Sequence, residues 1–432
     1  MPTPPRAKAA SWPGSPWTMA AAALLIRLVV MSFSYSNQLD PARDHWAFGF
    51  ETGRVARSIA SGQGFSSPYP EPTGPTALIP PVYVYLVAGV FKLFGIYSPA
   101  SALVMLIWND LISAMTCLPV FFIARRIFGL RTAIWAGWIW ALFPYAAALA
   151  NSTVWETALS TLLLSLVVLA TLRLESSTSW KAWVGYGALC GLAVLTNPAI
   201  LSALPFLGAW VWLRHRRRGE NPAGAVATAS LVFLCATVPW IWRCSQTYGR
   251  FVALRGGAGL EALVGNSNDT SHPANFKVIP ENDPVEMESV KTLGEPAYMA
   301  EKEHEAAELV ARSPLRYLGL TLRRVLYTWT GLWEFPPRWK LDEEGLPNAL
   351  TYSFISLVAF LGLYRAIRDR RDVLIPLVIP LALFPIPYYL THSEARYRHP
   401  IDPLIVVLAA SGAVILWGWI SAFLERRAAR AR

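Results

Sequence analysis

The stretch "SALVMLIWNDLISAMTCLPVFFI", Ser101–Ile123, contains a single charged residue, Asp110, and it decides the fold class. About 20 consecutive apolar residues are enough for a helix to cross the hydrocarbon core of a bilayer. A similar apolar run covers Ala225–Trp242. Lipid offers no partners for backbone N–H and C=O groups, so helices that satisfy these groups internally are favoured there. These runs therefore predict an all-α polytopic integral membrane protein.

The composition supports the same interpretation. Of the 432 residues, 54% are hydrophobic and only 15% are charged, and the mean hydropathy is +0.36. A soluble domain of this size carries more charged residues. The net charge of +10 does not indicate a nucleic-acid partner, because Lys and Arg cluster in short loops between apolar runs and so set orientation in a membrane. The four cysteines show no spacing typical of a metal site.

The basic loops predict the topology if all of them face the cytoplasm. The chain then has about ten transmembrane helices with both termini inside, near residues 17–35, 101–123, 132–149, 154–172, 182–196, 198–213, 224–243, 349–364, 373–390 and 401–420. "PPVYVYLVAGVFKLFG" (Pro80–Gly95) is too short to cross and is predicted to lie along the outer membrane surface. Ala182–Leu213 is predicted to cross twice, with its outer turn at Thr196–Pro198.

This topology divides the chain into three parts. They are an N-terminal transmembrane module with an acidic first outer loop (1–243, loop 37–99), an outer region with juxtamembrane helices (244–348) and C-terminal transmembrane helices (349–432). In the outer region, "RGGAGLEALVGNSNDTSHP" (Arg255–Pro273) is typical of a loop. Glu295–Ala311 and Leu315–Thr330 are predicted to be helices, separated at Ser313–Pro314.

Two carboxylates stand out in the first outer loop, in "DHWAFGFETGRVARSIASGQGF" (Asp44–Phe65). Asp44 and Glu51 are seven residues apart and would share one face of a helix. Each is a candidate catalytic base. The alternatives are that Asp44 caps a helix N-terminus and that Glu51 forms a surface pair with Arg54.

A third candidate catalytic acid, Glu156, lies at the outer end of the fourth span in "ANSTVWETAL". A capping box formed by Thr153 and Glu156 would explain it equally well. Asp110 lies inside a span, where an ionisable side chain is a functional candidate. It could instead pair with Arg27 of the first span.

The outer loop "THSEARYRHPIDP" (Thr391–Pro403) is basic, against the rule that basic loops stay inside. Guanidinium groups bind phosphate through two parallel hydrogen bonds, so the loop predicts a site for a membrane-anchored phosphate. The predicted phosphate-binding residues are Arg396, Arg398, Tyr397 and His399. In the alternative interpretation, the arginines pair with Glu394 and Asp402 or with lipid head groups.

The order of these segments resembles a known family. A span, an acidic juxtamembrane helix ending "ASGQGF", then "PPVYVYLVAGVFKLFG" and "ARRIFG" are similar to the GT-C membrane glycosyltransferases. The branch is that of the protein O-mannosyltransferases and the aminoarabinose transferase of lipid A. The resemblance covers Asp44–Leu213 and Arg396–Leu404, where "ARYRHPIDP" resembles the family's loop before a late span.

The resemblance implies transfer of one sugar from a polyprenyl-phosphate donor to an envelope lipid, glycan or protein on the outer face of the cytoplasmic membrane. In the family, an acid at the start of the first outer loop activates the acceptor hydroxyl. Counting back from "ASG" in "ASGQGF" places the corresponding position between Asp44 and Glu51, so both remain candidates. The family's second acid matches Glu156. Where relatives carry a basic residue, this chain has "ALIPP" (Ala77–Pro81), which leaves the donor phosphate to Arg396 and its neighbours.

A transporter of lipid-linked sugars is the alternative function. It would use Asp110 and Arg27 as a charge site in the middle of the membrane and would show repeat-like broken helices. The charges of this chain concentrate outside the spans and no inverted repeat is visible, which favours a transferase. A divalent metal bridging Glu51, Glu156 and a phosphate is an open possibility.

Overall fold

The computed structural model describes residues 14–34, 48–268, 270, 274–333, 339, 345–369 and 371–430. Within these residues every regular element is a helix, apart from one isolated β-bridge between Ser66 and Pro75. The predicted all-α architecture is therefore confirmed.

The described part of the N-terminal module contains the helices α1 to α11. Four of them start on proline. Proline suits the first helical turn because it lacks a backbone N–H, and an N–H at that position would have no partner within the helix. The helices are α1 (Pro16–Ser34), α2 (Glu51–Ala60), α3 (Pro81–Phe94), α4 (Pro99–Met115), α5 (Cys117–Phe128), α6 (Leu130–Ala141), α7 (Pro144–Ser152), α8 (Thr157–Leu174), α9 (Trp180–Thr196), α10 (Leu204–Arg217) and α11 (Ala223–Tyr248).

The outer region contains α12 (Ala258–Asn266), α13 (Pro284–Leu293), α14 (Glu295–Arg312) and α15 (Pro314–Thr330). The last two confirm the predicted pair of helices and its break at Ser313. The loop predicted for residues 255–273 is wrong in part, because α12 lies inside it. Leu260, Leu263 and Val264 follow helical spacing and are buried, which gives α12 an apolar face to pack.

The C-terminal part contains α16 (Leu346–Arg368), α17 (Ile375–Leu383), α18 (Ile386–Leu390), α19 (Ala395–Arg398) and α20 (Asp402–Arg430). Helices α16 and α20 cross in close contact. A Cβ atom at Gly362 would overlap the carbonyl oxygen of Leu408, and one at Gly412 would overlap that of Val358. Small residues at such crossings are typical of membrane helix pairs, which gain stability from close packing.

Seven helical segments are long and apolar enough to cross a membrane, and an eighth results if α6 and α7, bent by 41°, count as one span. Each of the ten predicted spans overlaps a helical segment, but α9 and α10 have only 17 and 14 residues. The predicted break between them is confirmed, since α9 ends at Thr196 and the Asn197 side chain accepts a hydrogen bond from the Ala199 amide at 3.0 Å. The placement of α3 on the membrane surface stays a prediction.

Several of the basic loops meet at one end of the bundle, which we call the basic end. Glu175, directly after α8, forms salt bridges with Arg126, Arg214 and Arg218. Arg371 donates to the Ile127 carbonyl oxygen at 2.7 Å. Loops that are distant in sequence are thus held together on one side, as a common cytoplasmic orientation requires.

Arg27 and Asp110, both in the bundle interior, do not form the ion pair that the sequence offered as an alternative role for Asp110. Arg27 is fully buried and donates to Ser113 Oγ at 2.8 Å and to the Ala23 carbonyl oxygen at 3.0 Å. Asp110 is also buried, and its Oδ1 accepts from Asn151 Nδ2 at 2.8 Å. Hydrogen bonds of the helix bundle therefore account for most of the polar groups at this site.

Candidate active site

A cavity of about 140 Å³ lies at the other end of the bundle, which we call the cavity end. Helix α8 starts beside it and ends at Leu174, next to Glu175, so its 18 residues separate the two ends by roughly 27 Å. The charged side chains that line the cavity come from α2, α12 and α19 and from the segments before α8, α12, α13 and α19. They are Glu51, Glu156, Arg255, Glu261, Glu281, His392 and Arg396.

Glu51 is the first residue of α2 and lines the cavity. The preceding Gly49 has φ +80°, and a Cβ there would lie 2.5 Å from the Val154 carbonyl oxygen and 2.6 Å from Trp155 Cδ1. Only glycine allows this approach, which brings the first outer loop against the residues just before Glu156. Burial raises the pKa of Glu51 and outweighs its backbone hydrogen bond and the nearby charge of Arg396.

Glu281, from the outer region, supplies a second carboxylate that the sequence did not single out. It forms a buried salt bridge with Arg54, whose Nη1 lies 3.2 Å from Glu281 Oε1. The pair predicted for Arg54 with Glu51 is thus replaced by one with Glu281. Burial, followed by the negative charge of Glu51, raises the pKa of Glu281 to about 7 despite this arginine. Two carboxylates that disfavour each other's charge therefore lie at one cavity.

Glu156 also lines the cavity and stands at the N-cap of α8. Its own side chain makes no capping hydrogen bond, and it has φ −67° and ψ −4°. The alternative of a capping box is wrong, because the helix begins at Thr157 and Thr153 lies outside it. The carboxylate is half-buried and turned to the cavity instead.

Arg396 is the cavity's cation on the bundle side. Its Cζ lies 3.6 Å from the centroid of the Trp155 ring, and its Nη2 donates to Tyr397 Oη at 3.2 Å. It also pairs with Glu394, as the alternative interpretation of this loop expected. The stack on Trp155 holds the guanidinium beside the loop that carries Glu156.

The second cation, Arg255, comes from the outer region just before α12. It pairs with Glu261, and its Nε donates to the Leu78 carbonyl oxygen at 3.1 Å. Burial alone would raise the pKa of Glu261, but the charges of Arg255, His392 and Arg396 outweigh it and lower that pKa. Glu261 is therefore an ionised anchor for the cations rather than a carrier of protons.

His392 links the two cationic groups of the cavity. Its Nδ1 lies 3.1 Å from Glu261 Oε2, and its Nε2 lies 3.0 Å from Tyr397 Oη. The ring of Tyr397 stacks on that of Tyr388 with 4.5 Å between centroids. These residues form one connected wall from the outer region to the last outer loop.

The structure does not place Arg398 and His399 on the cavity. Arg398 is buried, pairs with Asp402 Oδ1 at 2.7 Å and lies 3.9 Å from the centroid of the Tyr352 ring. His399 Nδ1 lies 3.2 Å from Asp402 Oδ2, and its ring stacks on Trp140. Both side chains tie the last outer loop to the bundle interior, so we do not retain them as phosphate ligands.

Of the remaining expectations, Asp44 falls in residues 35–47, outside the part of the chain that the structure describes. Among the described residues, no group of three or more His, Cys, Asp or Glu side chains is placed to hold a metal ion. Arg255, Glu261, Glu281 and His392 were missed by sequence reasoning. The apolar spacing of α12 would have indicated the element that carries Glu261.

Comparison with known proteins agrees with this architecture. The model of the family described as dolichyl-phosphate-mannose-protein mannosyltransferase matches residues 79–242. No curated protein matches the chain by sequence.

Solved structures of similar shape include the archaeal oligosaccharyltransferase AglB from Archaeoglobus fulgidus, with TM-score 0.56, 13% identity and coverage of 96% of this chain and 52% of that one. The same protein tethered to an acceptor peptide gives TM-score 0.55 at 15% identity, over 94% of this chain and 50% of that one. ArnT from Cupriavidus metallidurans has 17% identity over 92% of this chain and 77% of that one, and its TM-score of 0.40 is too low to place residues.

The chain spans about half the length of the archaeal oligosaccharyltransferases that it matches. At this level of identity the likeness concerns the fold, which holds over nearly the whole of this chain. The chain therefore has the GT-C fold of membrane glycosyltransferases, and residues 79–242 within it match the mannosyltransferase family.

Proposed function

We propose that this protein is a glycosyltransferase that moves a sugar from a polyprenyl-phosphate donor to an acceptor hydroxyl. The observation that supports it most is the convergence of Glu51, Glu156, Glu281 and Arg396 on one cavity at the end of a membrane bundle. The fold adds support, since the similar AglB structure contains an inhibitory peptide and a dolichol-phosphate.

Arg396 and Arg255 bind the donor phosphate in this proposal. Both line the cavity and both pair with carboxylates. Arg255 also donates to the Leu78 carbonyl oxygen. Arg396 also donates to the Tyr397 hydroxyl and stacks on Trp155, so both guanidinium planes are fixed. A phosphate that already lies against fixed cations needs no proton to leave the sugar, because the protein stabilises the developing charge. Arg396 also lies at the start of a predicted span, at the depth expected for the head group of a membrane-anchored lipid.

Glu51 acts as the general base. The acceptor oxygen attacks the anomeric carbon of the sugar while the bond from that carbon to the phosphate oxygen breaks. The hydroxyl proton passes to Glu51, and the polyprenyl phosphate remains paired with Arg396. A carboxylate whose pKa is raised by burial is a stronger base than an exposed glutamate once it is ionised. Direct displacement of this kind inverts the anomeric configuration.

The site faces the outer side of the cytoplasmic membrane, since the basic end is the side that the distribution of Arg predicts to be cytoplasmic. The protein is then a multi-pass protein of the inner membrane, and its partners are the lipid-linked donor and an envelope lipid, glycan or protein acceptor. Glu156 is placed to bind a hydroxyl of the sugar or the acceptor.

The test is release of free polyprenyl phosphate from a panel of sugar-linked donors by membranes that contain the protein, with the cell envelope as acceptor. We expect release by the wild type, and loss of it in Glu51→Gln and Arg396→Gln. Asp44→Asn is compared with Glu51→Gln, and loss only in the former would move the base to Asp44. Glu71→Gln is the control, because Glu71 is 52% exposed and lies outside the cavity.

Two outcomes contradict the proposal. If the wild type releases nothing from any donor and does not bind polyprenyl phosphate, the transferase assignment is wrong. If the product keeps the anomeric configuration of the donor, direct displacement is excluded and a covalent intermediate must replace it.

A further inference from the structure

A second cavity, of about 530 Å³, lies at the basic end, far from the candidate active site. It opens between the C-terminal ends of α5 and α8, which pack side by side. Three arginines line it, Arg125 and Arg126 from α5 and Arg173 from α8. All three are exposed, so their guanidinium groups are accessible to a ligand.

The charge in this cavity is not neutralised by the protein. Glu175 is the nearby carboxylate, and its single charge is already shared by Arg126, Arg214 and Arg218. Burial alone would raise the pKa of Glu175, but hydrogen bonds and charge from Arg214 and Arg126 outweigh it and lower that pKa. Among the described residues, no carboxylate forms a salt bridge with Arg125 or Arg173 (their side chains are solvated instead). An excess of positive charge therefore remains at the mouth of the cavity.

The floor of the cavity is apolar. Leu169 and Leu172 are buried in its wall, and the guanidinium of Arg173 lies 5.8 Å from the centroid of the Phe122 ring. Phe122 and Leu169 belong to helices that are long and apolar enough to span a membrane. The cavity thus combines cations at the end of the spans with an apolar surface that continues toward the bilayer. A free anion would need only the first of these features.

We propose that this cavity binds an anionic phospholipid, with the lipid phosphate between Arg125 and Arg173 and the start of an acyl chain on Phe122. Basic pockets between transmembrane helices on the cytoplasmic side are suited to such head groups, and each arginine near the surface contributes about 1 kcal/mol. Glu175 serves as the anchor that keeps Arg126 at the rim. The site is independent of the proposed transferase activity.

The experiment is a titration of the purified full-length protein in detergent with dioleoyl phosphatidylglycerol, followed by thermal unfolding through tryptophan fluorescence. A lipid that binds the folded state raises the midpoint temperature, and the rise at a given lipid concentration is larger for tighter binding. We expect a rise with phosphatidylglycerol and little with dioleoyl phosphatidylcholine. Arg125→Gln with Arg173→Gln removes two contacts and is expected to weaken the apparent affinity roughly thirtyfold.

The matched control is Arg216→Gln with Arg217→Gln. These arginines are exposed at the same end and carry the same charge, but they do not line the cavity. The control is expected to keep the wild-type affinity within about twofold, because these two arginines do not contact the bound lipid and charges at a distance are screened by solvent and salt. Equal loss in both double variants would show a diffuse charge effect and overturn the site.

Two further outcomes would also overturn it. If glycerol 1-phosphate raises the midpoint temperature as much as phosphatidylglycerol does, the ligand is a soluble phosphate. If phosphatidylglycerol and phosphatidylcholine raise it equally, the site has no selectivity for an anionic head group. A photoactivatable phosphatidylglycerol tests the wild type directly and does not depend on the variants folding. Its crosslinks are expected in peptides of α5 and α8, and their appearance only elsewhere would contradict the proposal.

Discussion

Glu175 at the basic end and Glu281 at the cavity end are both buried carboxylates, with side chains 3% and 9% exposed, yet they differ in charge state. Glu175 meets three arginines, which lower its pKa against the effect of burial. Glu281 meets one arginine and faces Glu51, so its pKa rises to about 7. Burial is common to both; the balance of neighbouring charges decides whether a carboxylate stabilises the structure or exchanges protons.

The largest effect is expected for Glu51→Gln. Loss of a general base lowers the rate of sugar transfer by about 10²–10⁴-fold. Thermal unfolding is expected to stay close to wild type, because the amide keeps the shape of a side chain that carries no stabilising ion pair in this proposal. Transfer rate per folded molecule is the measurement. If Glu51→Gln transfers sugar at the wild-type rate, Glu51 is not the general base.

A large effect on stability is expected for Glu175→Gln. The substitution leaves Arg126, Arg214 and Arg218 around a neutral side chain, and removal of one partner from a buried ionic cluster costs about 3–5 kcal/mol. Two of these arginines are partly exposed, so the lower value is the better guide. The midpoint of thermal unfolding should fall, while transfer per folded molecule is preserved. An unchanged midpoint would show that the arginines do not depend on Glu175.

Glu281→Gln is expected to change the stability of the fold less than Glu175→Gln does, and to raise it at high pH. Because the folded-state pKa of Glu281 is raised, its contribution to stability is present below the ordinary value for glutamate and is lost as pH rises through about 7. The variant should therefore match the wild type at pH 5 and exceed it at pH 8, on the order of 1 kcal/mol. Thermal unfolding at the two pH values checks this. A deficit at pH 8 would show that the Arg54 salt bridge dominates.

The smallest effect is a shift in the pH dependence of transfer. Activity requires ionised Glu51, so it falls as the pH drops through the raised pKa of that residue. Glu281→Gln removes a neighbouring negative charge, which should move the acid limb of the profile to lower pH. Glu71→Gln, on the surface, should leave the limb in place. An acid limb that moves to higher pH would contradict the electrostatic interaction between Glu51 and Glu281.

The fold was predictable because each span carries its own signal. A helix in lipid satisfies its backbone within itself, so hydropathy and the positions of the basic loops located a helical segment for each of the ten predicted spans. The basic residues on both sides of Ala182–Leu213 and the turn signal at Thr196–Pro198 indicated the break at Asn197. The prediction of a loop for residues 255–273 was wrong in part, because α12 is too short to carry the hydropathy signal of a span. Helix α12 is short and lies among glycines, which are typical of loops, so the helical spacing of Leu260, Leu263 and Val264 was overlooked.

The candidate site was predictable only in part. Glu51, Glu156, Arg396 and Tyr397 reach one cavity, as the order of the loops indicated. Arg398 was not separable from Arg396 by sequence, because two residues further along a four-residue helix the side chain points into the bundle. Glu281 was missed because its position depends on how the outer region packs over the spans, which no local pattern reports.

The approach of Gly49 to Val154 and Trp155 has a consequence for the biosynthesis of the protein. It places the first acid of the cavity against a segment that leaves the ribosome about a hundred residues later, and Arg396 follows more than two hundred residues after that segment. A nascent chain that already contains Glu51 thus lacks Arg396, one of the two cations proposed to bind the lipid phosphate. If Arg396 binds the donor phosphate as proposed, chains that stop before this residue are expected to leave the donor intact.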